Sequence, residues 1–334
     1  MSALRAAIVG FGRWGRHLVE CAQGSERIRF VGAVVRDPQK APKDFSRIYA
    51  DYEKALADPG IDAVVLATPH SVHAEQIVAA ARAKKHVFTE KPFTLTRGSA
   101  EQAVRACAQA GVTLAVGYNW RFQPALREIR RMLEDGRLGK LLHMEGNFCG
   151  PSAYRYGEAH WRQSRDEGPA GGMTGRGVHV VDAMLFLAGK IGSVHAQSAR
   201  RAQDAGIDDT TSMLFRFSSG ATGYLGTVIA TAETWRLQVF GSRGWAEVGG
   251  IAHLGTWALR YSLVNQANPF ADGKVETTTF PELGTERAEL ENFAEAALAR
   301  RPLAVAGGDE IHGVAVLEAI VESANRNLTV RIEP

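Results

Sequence analysis

The sequence feature that most constrains this chain is a glycine motif near its start. An apolar run over residues 4–9 leads into Gly10-Phe11-Gly12-Arg13-Trp14-Gly15, and a helical pattern follows over residues 17–22. In a strand–turn–helix unit, the first glycine allows the sharp turn and the second lets the backbone approach a pyrophosphate. The third lets the helix pack on its strand. Because the required strand and helix both flank the motif, it predicts dinucleotide binding, with a coincidental glycine turn as the alternative.

Strand and helix patterns alternate through the first third of the chain. Apolar strands are predicted at residues 4–9, 28–35, 62–67, 86–89 and 112–117, with helices at 51–57, 72–83 and 100–110. This alternation is typical of a parallel sheet with helices on both faces. We therefore predict an α/β Rossmann domain over residues 1–120 that binds NAD(P).

Alternating apolar and polar residues dominate the second part of the chain. Such strands are predicted at residues 141–148, 194–199, 211–217, 222–229 and 235–240, with helices at 123–134, 286–299 and 311–324. The alternation indicates an open, largely antiparallel mixed sheet that is covered on one face only. We predict an α+β substrate-binding domain over residues 121–334, whose bare sheet face forms a homodimer or homotetramer.

Composition argues against several classes of function. The chain has 334 residues and a formal net charge of +3 from scattered Lys and Arg, so neither nucleic acid nor a membrane surface is an expected partner. We expect no signal peptide, because strand pattern begins almost at once, and no bilayer-spanning segment. Cys21, Cys107 and Cys149 lack metal-ligand spacing, so we expect buried, reduced thiols in a cytoplasmic protein that holds no metal.

Cofactor preference in a Rossmann domain is decided at the end of the second strand, about 20 residues past the glycines. An acidic residue there pairs with the ribose hydroxyls of NAD, whereas an arginine accommodates the 2′-phosphate of NADP. Val35 occupies this position and is followed by Arg36 and Asp37. We favour NADP, because Arg36 can bind the phosphate and stack on the adenine. The alternative is a solvated Arg36, with Asp37 serving NAD.

Two further motifs end predicted strands, at the edge where open α/β sheets bind ligands. In the first, Thr68 and Pro69 precede His73, which is either a cofactor contact or an ordinary residue of the first helical turn. In the second, Glu90-Lys91-Pro92 holds a lysine between a strand end and a rigid proline. Out of context, this lysine would be a solvated surface charge.

Taken in order, these motifs resemble those of the glucose–fructose oxidoreductase / inositol dehydrogenase / MocA (Gfo/Idh/MocA) family. Gly117-Tyr118-Asn119-Trp120-Arg121-Phe122 is similar to the segment that leaves the family's Rossmann domain, and Gly177-Val178-His179-Val180-Val181-Asp182 to its second-domain signature. The resemblance covers nearly the whole chain. It implies NAD(P)-dependent oxidoreduction of a small-molecule substrate, most often a sugar, a polyol or a derivative of one.

The resemblance carries catalytic roles onto Lys91 and His179. It also implies that the last helix, at about residues 310–325, packs back on the first domain, and it implies cofactor contacts for Glu90, Asn119, Trp161 and Arg162. Hydride transfer needs a group that titrates near neutrality and a group that stabilises charge on the substrate oxygen. We assign the first task to His179 and the second to Lys91, and the reverse assignment stays open.

One position departs from the family pattern. Similar enzymes commonly carry an aspartate four residues before the histidine, on the same helix face, where this chain has Gly175. Either the pocket accepts a bulkier or differently charged substrate, with Arg176 and Arg162 available for a carboxylate or phosphate, or catalysis is impaired. An impaired protein would act as a nucleotide-binding regulator or scaffold. We favour the enzyme, because Lys91 and His179 both remain.

Overall fold

A computed structural model of the protein describes residues 3–37, 45–157, 160–204, 206–252, 254–269, 273–300, 303 and 310–333. The first part contains β1 (Leu4–Val9), α1 (Arg13–Cys21), β2 (Ile28–Val34), β3 (Arg47–Tyr49), α2 (Tyr52–Ala57), β4 (Ala63–Leu66), α3 (His73–Arg82), β5 (His86–Thr89), α4 (Arg97–Ala110) and β6 (Leu114–Val116). The second part contains α5 (Pro124–Glu134), β7 (Leu141–Cys149), α6 (Ser152–Arg155), α7 (Val178–Ala188), β8 (Ile191–Ala199), β9 (Thr210–Phe217), β10 (Thr222–Val228), β11 (Thr234–Gly241), β12 (Gly244–Gly250), β13 (Leu259–Leu263), β14 (Glu276–Thr278), α8 (Thr285–Ala299), α9 (Glu310–Arg326) and β15 (Val330–Arg331).

The first six strands form one parallel sheet in the order β3-β2-β1-β4-β5-β6. The order reverses at β1 and β4, and such a switch point is where this topology binds dinucleotides. Every residue of β4 is buried, as its unbroken apolar run predicts for a strand covered on both faces. The predicted Rossmann fold is confirmed. The sequence did not reveal β3, because it is a three-residue edge strand without an apolar run.

A helix from late in the chain belongs with this sheet. The chain divides into two compact units, Met1–Asn119 with Gly284–Ile311 and Trp120–Leu283 with His312–Pro334. Helix α8 lies in the first unit because one of its faces is apolar at helical spacing. The residues of that face enter the core of the sheet, and they are Leu290, Phe293, Ala294 and Ala297.

The two units differ from the domain division expected from the sequence. That division placed all of residues 121–334 in the second domain and packed the last helix on the first. Packing of the last helix on the first domain stays a prediction. In the structure α8 belongs to the first unit, whereas α9 belongs to the second from His312 onward. There His312 Nε2 accepts a hydrogen bond from the Ile191 N–H (3.1 Å) and Ser323 Oγ accepts one from the Ala196 N–H (2.8 Å), so α9 is tied to β8.

The second unit is built on a nine-stranded sheet in the order β14-β13-β12-β11-β7-β10-β9-β8-β15. Neighbouring strands are antiparallel except β10 and β7, which are parallel, so the predicted open mixed sheet is confirmed. Along β9, Met213, Phe215 and Phe217 are buried while Leu214 points outward. This alternation shows that one face of the sheet is covered and the other is exposed, as predicted. Four strands of this sheet were not predicted from the sequence: β12, β13 and the short edge strands β14 and β15.

Two further expectations concern the burial of the cysteine thiols and the absence of a bilayer-spanning helix. Cys21, Cys107 and Cys149 are all free thiols. Cys107 is buried as expected, and burial raises the pKa of its thiol to about 12, but Cys21 and Cys149 are only half-buried. Within the described ranges, no helix is both long enough and apolar enough to cross a membrane.

Candidate functional site

The glycine motif forms the turn between β1 and α1. Gly10 has a φ of +90°, and a Cβ at this position would lie 2.6 Å from the carbonyl oxygen of Ala67. A Cβ at Gly15 would overlap the carbonyl oxygen of Gly10, so α1 can approach its strand only with glycine there. Gly12 is different: it is exposed, and a Cβ there would meet no atom of the described residues within 4 Å. The fold itself requires Gly10 and Gly15 but does not require Gly12.

The N-terminus of α1 has the features of an anion site. Gly12 is its N-cap, no side chain caps the helix, and the first turn has no acidic residue. The first N–H groups of such a helix are available to an anion, whose charge the helix dipole favours. Phe11 and Arg13 flank the turn, and Trp14 follows them as the second residue of α1. This open, uncapped turn fits the pyrophosphate of a dinucleotide.

His73 connects the two strand-end motifs. It is fully buried as the first residue of α3, with Nδ1 3.0 Å from the carbonyl oxygen of Pro92 and Nε2 3.2 Å from that of Thr68. The Thr68 hydroxyl donates to Gln76 Oε1 (2.6 Å), and Pro69 begins the turn that leads into α3. The ring is thus buried against two backbone carbonyls. Both the structural role of His73 and its contact with a cofactor stay predictions.

Glu90 and Lys91 follow directly after β5. Burial raises the pKa of the Glu90 carboxyl, against the opposing effects of the Lys91 ammonium and the Trp14 indole, which stabilise its charged form. A Cβ at Gly117 would lie 3.0 Å from Glu90 Oε1, so the glycine leaves room for this carboxyl group. Lys91 is half-buried rather than fully solvated. A cation and a buried carboxyl group are thus held together at the carboxyl edge of the sheet.

Two other predicted cofactor residues lie in the first unit. Asn119 is buried, and its Nδ2 donates to Glu286 Oε1 (3.0 Å) and to Thr285 Oγ1 (3.3 Å), at the start of α8. Arg36 is exposed just beyond β2, whose end is fixed by a hydrogen bond from the Val35 N–H to the Tyr49 carbonyl. Contacts of Asn119 and Arg36 with a cofactor stay predictions.

His179 lies in the first turn of α7, within the second unit. Its ring stacks on Trp120 with centroids 5.5 Å apart and an interplanar angle of 19°. Trp120 also contacts Trp235 and Trp257, each at a centroid distance of 4.9 Å, and Phe148 lies 6.1 Å from the imidazole. Sequence reasoning did not find Trp235 and Trp257, because nothing in their local pattern shows that they meet Trp120. The aromatic rings fix the orientation of a buried imidazole.

A buried ion pair supports the same helix. The Arg121 guanidinium donates to Asp182 through Nε (2.9 and 3.0 Å) and Nη2 (2.7 Å), and both side chains are almost fully buried. Asp182 lies three residues after His179, so the pair ties α7 to the segment that carries Trp120. Such a fork holds the helix in one orientation.

The turn before α7 is a π-helix over Met173–Gly177. A Cβ at Gly177 would overlap Met173 Sδ and lie 2.8 Å from Thr227 Cγ2, so internal packing requires this glycine. A Cβ at Gly175 would meet no described atom within 4 Å. Open space therefore exists at the position where the family resemblance predicts a carboxylate. Single π-turns are frequent at functional sites.

The two arginines proposed for an anionic substrate have aromatic and acidic neighbours. Arg176 donates to both carboxylate oxygens of Glu233 (2.7 and 3.1 Å), so an anionic substrate would compete with Glu233 for this guanidinium. Arg162 lies 4.3 Å above the ring of Trp161 and 5.8 Å from that of Tyr156. Trp161 and Arg162 begin a short 3₁₀ turn. The predicted cofactor and substrate contacts of these residues stay predictions.

Comparison with known proteins places both units among oxidoreductases. Residues 4–118 match the profile described as "Oxidoreductase family, NAD-binding Rossmann fold", and residues 126–247 match the GFO/IDH/MocA C-terminal domain. D-xylose 1-dehydrogenase (NADP(+)) 2 from Haloferax volcanii is 29% identical over 289 residues, which are 85% of each chain. Uncharacterized oxidoreductase YrbE from Bacillus subtilis is 31% identical over 252 residues, 71% of each chain.

A solved structure has the same fold over the full length. Aldose-aldose oxidoreductase from Caulobacter crescentus, complexed with glycerol, superposes with a TM-score of 0.87 at 26% identity. The match covers 99% of this chain and 100% of that protein. Both sheets therefore recur together in one protein of known activity.

Proposed function

Because the chain belongs to the GFO/IDH/MocA family of NAD(P)-dependent oxidoreductases, we propose that its substrate is a sugar, a polyol or a related derivative. A hydride would pass between the nicotinamide and a secondary alcohol or carbonyl of that substrate. The observation that carries the proposal is the turn at the start of α1, where exposed Gly12 and an uncapped helix fit a pyrophosphate. The relatives named D-xylose dehydrogenase and aldose-aldose oxidoreductase support the substrate class.

His179 and Lys91 divide the chemistry in this proposal. When bound, the nicotinamide supplies the hydride acceptor or donor. His179 exchanges the proton of the substrate hydroxyl, and its stacking on Trp120 fixes the ring for that exchange. Lys91 stabilises negative charge on the substrate oxygen, and the same ammonium favours the charged form of the Glu90 carboxyl beside it, against the effect of burial.

The roles are tested by following the absorbance of the reduced nicotinamide in the presence of sugars, inositols and hydroxy acids. His179→Ala and Lys91→Ala should each lower kcat by about 10²–10⁴-fold, the usual contribution of a positioned acid or base. Lys140→Ala and His195→Ala, which remove the same side chains elsewhere, should leave kcat unchanged. Near-normal turnover in both His179→Ala and Lys91→Ala would refute the assignment.

The same substrate panel tests the alternative of an impaired regulator or scaffold. Nothing in the comparisons favours that alternative, since the named relatives are oxidoreductases. Turnover of any compound would support the enzyme. Tight cofactor binding without turnover across the whole panel, together with altered affinity for a partner protein, would support the regulator instead.

Preference for NADP is the second part of the proposal. Arg36 is exposed at the carboxyl end of β2, where an arginine accommodates a 2′-phosphate, and the Haloferax relative is named for NADP(+). Arg36→Ala should raise the Michaelis constant for NADP at least ~10-fold and leave that for NAD unchanged. A wild-type enzyme that strongly prefers NAD would contradict this preference.

We also propose that the open sheet face forms a homodimer or homotetramer. Leu214 and Tyr224 pair across β9 and β10 and are 58% and 39% exposed on this sheet, and exposed apolar side chains favour a partner. Light scattering at micromolar concentration should show an oligomer, and Leu214→Glu should shift it toward the monomer. A monomeric wild-type protein would remove the proposal.

A cytoplasmic location is proposed from the thiols. Cys21, Cys107 and Cys149 are all free, which suits a compartment that keeps thiols reduced. Cell fractionation should recover the protein with cytoplasmic markers. Recovery from an oxidising compartment would contradict the proposal.

A further inference from the structure

A cluster of metal-ligating side chains lies where α1 meets α8, within the first unit. His17 and Cys21 are four residues apart on α1, and Cys21 Sγ is 3.5 Å from His17 Nε2. Glu286, in the first turn of α8, has Oε1 4.0 Å from the same nitrogen. One ligand atom from each residue lies within 4.8 Å of the others. The expectation of no metal-ligand spacing overlooked the helical spacing of His17 and Cys21, and the third residue comes from the other end of the chain.

The distances are close to those of a tetrahedral zinc site. With Zn–N and Zn–O bonds near 2.0–2.2 Å and a Zn–S bond near 2.3 Å, tetrahedral ligand atoms are about 3.3–3.6 Å apart. The pair of His17 Nε2 and Cys21 Sγ already has this separation, at 3.5 Å. Glu286 Oε1, at 4.0 Å, needs to approach the imidazole by less than about 1 Å, and the widest separation in the cluster, within 4.8 Å, needs to close by up to about 1.5 Å.

Neighbouring groups orient the carboxylate. Glu286 is buried and accepts hydrogen bonds from Asn119 Nδ2 at Oε1 (3.0 Å) and from Thr285 Oγ1 at Oε2 (3.2 Å). The His17 ring packs against Trp14 at a centroid distance of 4.9 Å. Hydrogen-bonded ligands of this kind are typical of metal sites, where the surrounding groups fix the ligand geometry.

The charges around Cys21 favour a cation over a bare thiolate. The carboxylates of Glu286, Glu20 and Glu289 all act electrostatically on the Cys21 sulfur. A divalent cation would be attracted by the same carboxylates that oppose a bare thiolate.

We propose that His17, Cys21 and Glu286 bind one divalent transition-metal ion of the zinc type, with a fourth position for water or a further carboxylate. Nitrogen, sulfur and oxygen donors together suit zinc rather than magnesium or calcium. The ion links α1, which carries the glycine turn, to α8, which completes the core of the same unit. Its role is to stabilise this unit, and it takes no part in hydride transfer.

Co²⁺ is the first probe of this site. The full-length protein, stripped with a chelator, should bind one Co²⁺ per chain with a thiolate-to-cobalt charge-transfer absorption, and Zn²⁺ should displace it. Cys21→Ser should abolish the charge-transfer band, whereas His17→Ala and Glu286→Gln should weaken binding at least ~10-fold. Cys107→Ala, which removes a thiol elsewhere in the same unit, should behave as wild type. The proposal is overturned if Cys21→Ser keeps the band or if the wild type binds no Co²⁺.

Thiol labelling gives a second test that needs no variant. Saturating Zn²⁺ should slow alkylation of Cys21 in the wild-type protein and leave alkylation of half-buried Cys149 unchanged, as mapped by mass spectrometry. Equal labelling of Cys21 with and without Zn²⁺ would refute the site even if the variants fail to fold. Neither measurement depends on turnover, so a failure of the metal site is distinct from a failure of the proposed reaction.

Discussion

The buried pair of Arg121 and Asp182 offers a direct test of how α7 is held in place. Asp182→Asn keeps the size and shape of the side chain and removes its charge. The Arg121 guanidinium then stays buried beside a neutral amide, which keeps one of the two oxygens that accepted its hydrogen bonds of 2.7–3.0 Å and turns an NH2 donor toward it in place of the other. Since His179 lies one helical turn before Asp182, loss of the pair should also disturb the imidazole.

The size of the expected loss in the free energy of unfolding follows from the burial of the ion pair. The two side chains are 7% and 5% exposed, and removing one partner of a buried ion pair costs about 3–5 kcal/mol. The pair of Arg130 and Glu134 has the same shortest distance, 2.7 Å, but its side chains are 45% and 59% exposed. Glu134→Gln should therefore cost about 0.5 kcal/mol or less. Each variant neutralises a carboxylate whose shortest distance to its arginine is 2.7 Å, and the two ion pairs differ in how far their side chains are buried.

Urea unfolding followed by tryptophan fluorescence measures both variants. Five of the six tryptophans lie in the second unit, so the signal reports mainly on the unit that contains both ion pairs. With an m-value of about 2 kcal/mol/M, a loss of about 3 kcal/mol moves the urea midpoint down by about 1.5 M. Equal, small shifts for Asp182→Asn and Glu134→Gln would show that burial does not set the strength of the pair, and the reasoning would fail.

Other perturbations test the glycine turn, an ion pair and the departure from the family pattern. Gly12→Ala should fold as wild type but lose most of its dinucleotide affinity, whereas Gly15→Ala should lower the melting temperature by several degrees; calorimetry and cofactor titration separate these outcomes. The Arg5 guanidinium lowers the pKa of the Asp62 carboxyl. The ion pair therefore stabilises the folded protein fully above the usual carboxyl pKa of about 3.9, and this stabilisation is lost as pH falls through the lowered pKa. Arg5→Gln should accordingly destabilise the protein at neutral pH and have little effect near pH 2, and an equal urea-midpoint shift at both pH values would contradict this. Gly175→Asp should change the free energy of unfolding by less than about 1 kcal/mol, because its Cβ faces open space, and a larger loss in urea titrations would show that the position is packed.

The sequence determined the parts of this protein that depend on neighbours along the chain. The turn from Gly10 to Gly15 is encoded by residues that must approach one another within a few positions, and its strand and helix were recognisable for the same reason. A strand buried on both faces carries an unbroken apolar run, and a strand buried on one face alternates apolar and polar residues, so both sheet types could be predicted. Family membership followed from local motifs such as Glu90-Lys91-Pro92.

The tertiary structure decided which distant residues meet. The residues near Glu233 in the sequence do not indicate that it forms an ion pair with Arg176. Only the folded structure shows that Trp235 packs against Trp120. Helix α8 belongs to the first unit because its apolar face matches that sheet, which its own sequence does not reveal. The local sequence determines the backbone hydrogen bonds within a turn or helix and the pattern of apolar residues along each element. Which elements contact each other depends on strand register and on side-chain packing over the whole fold.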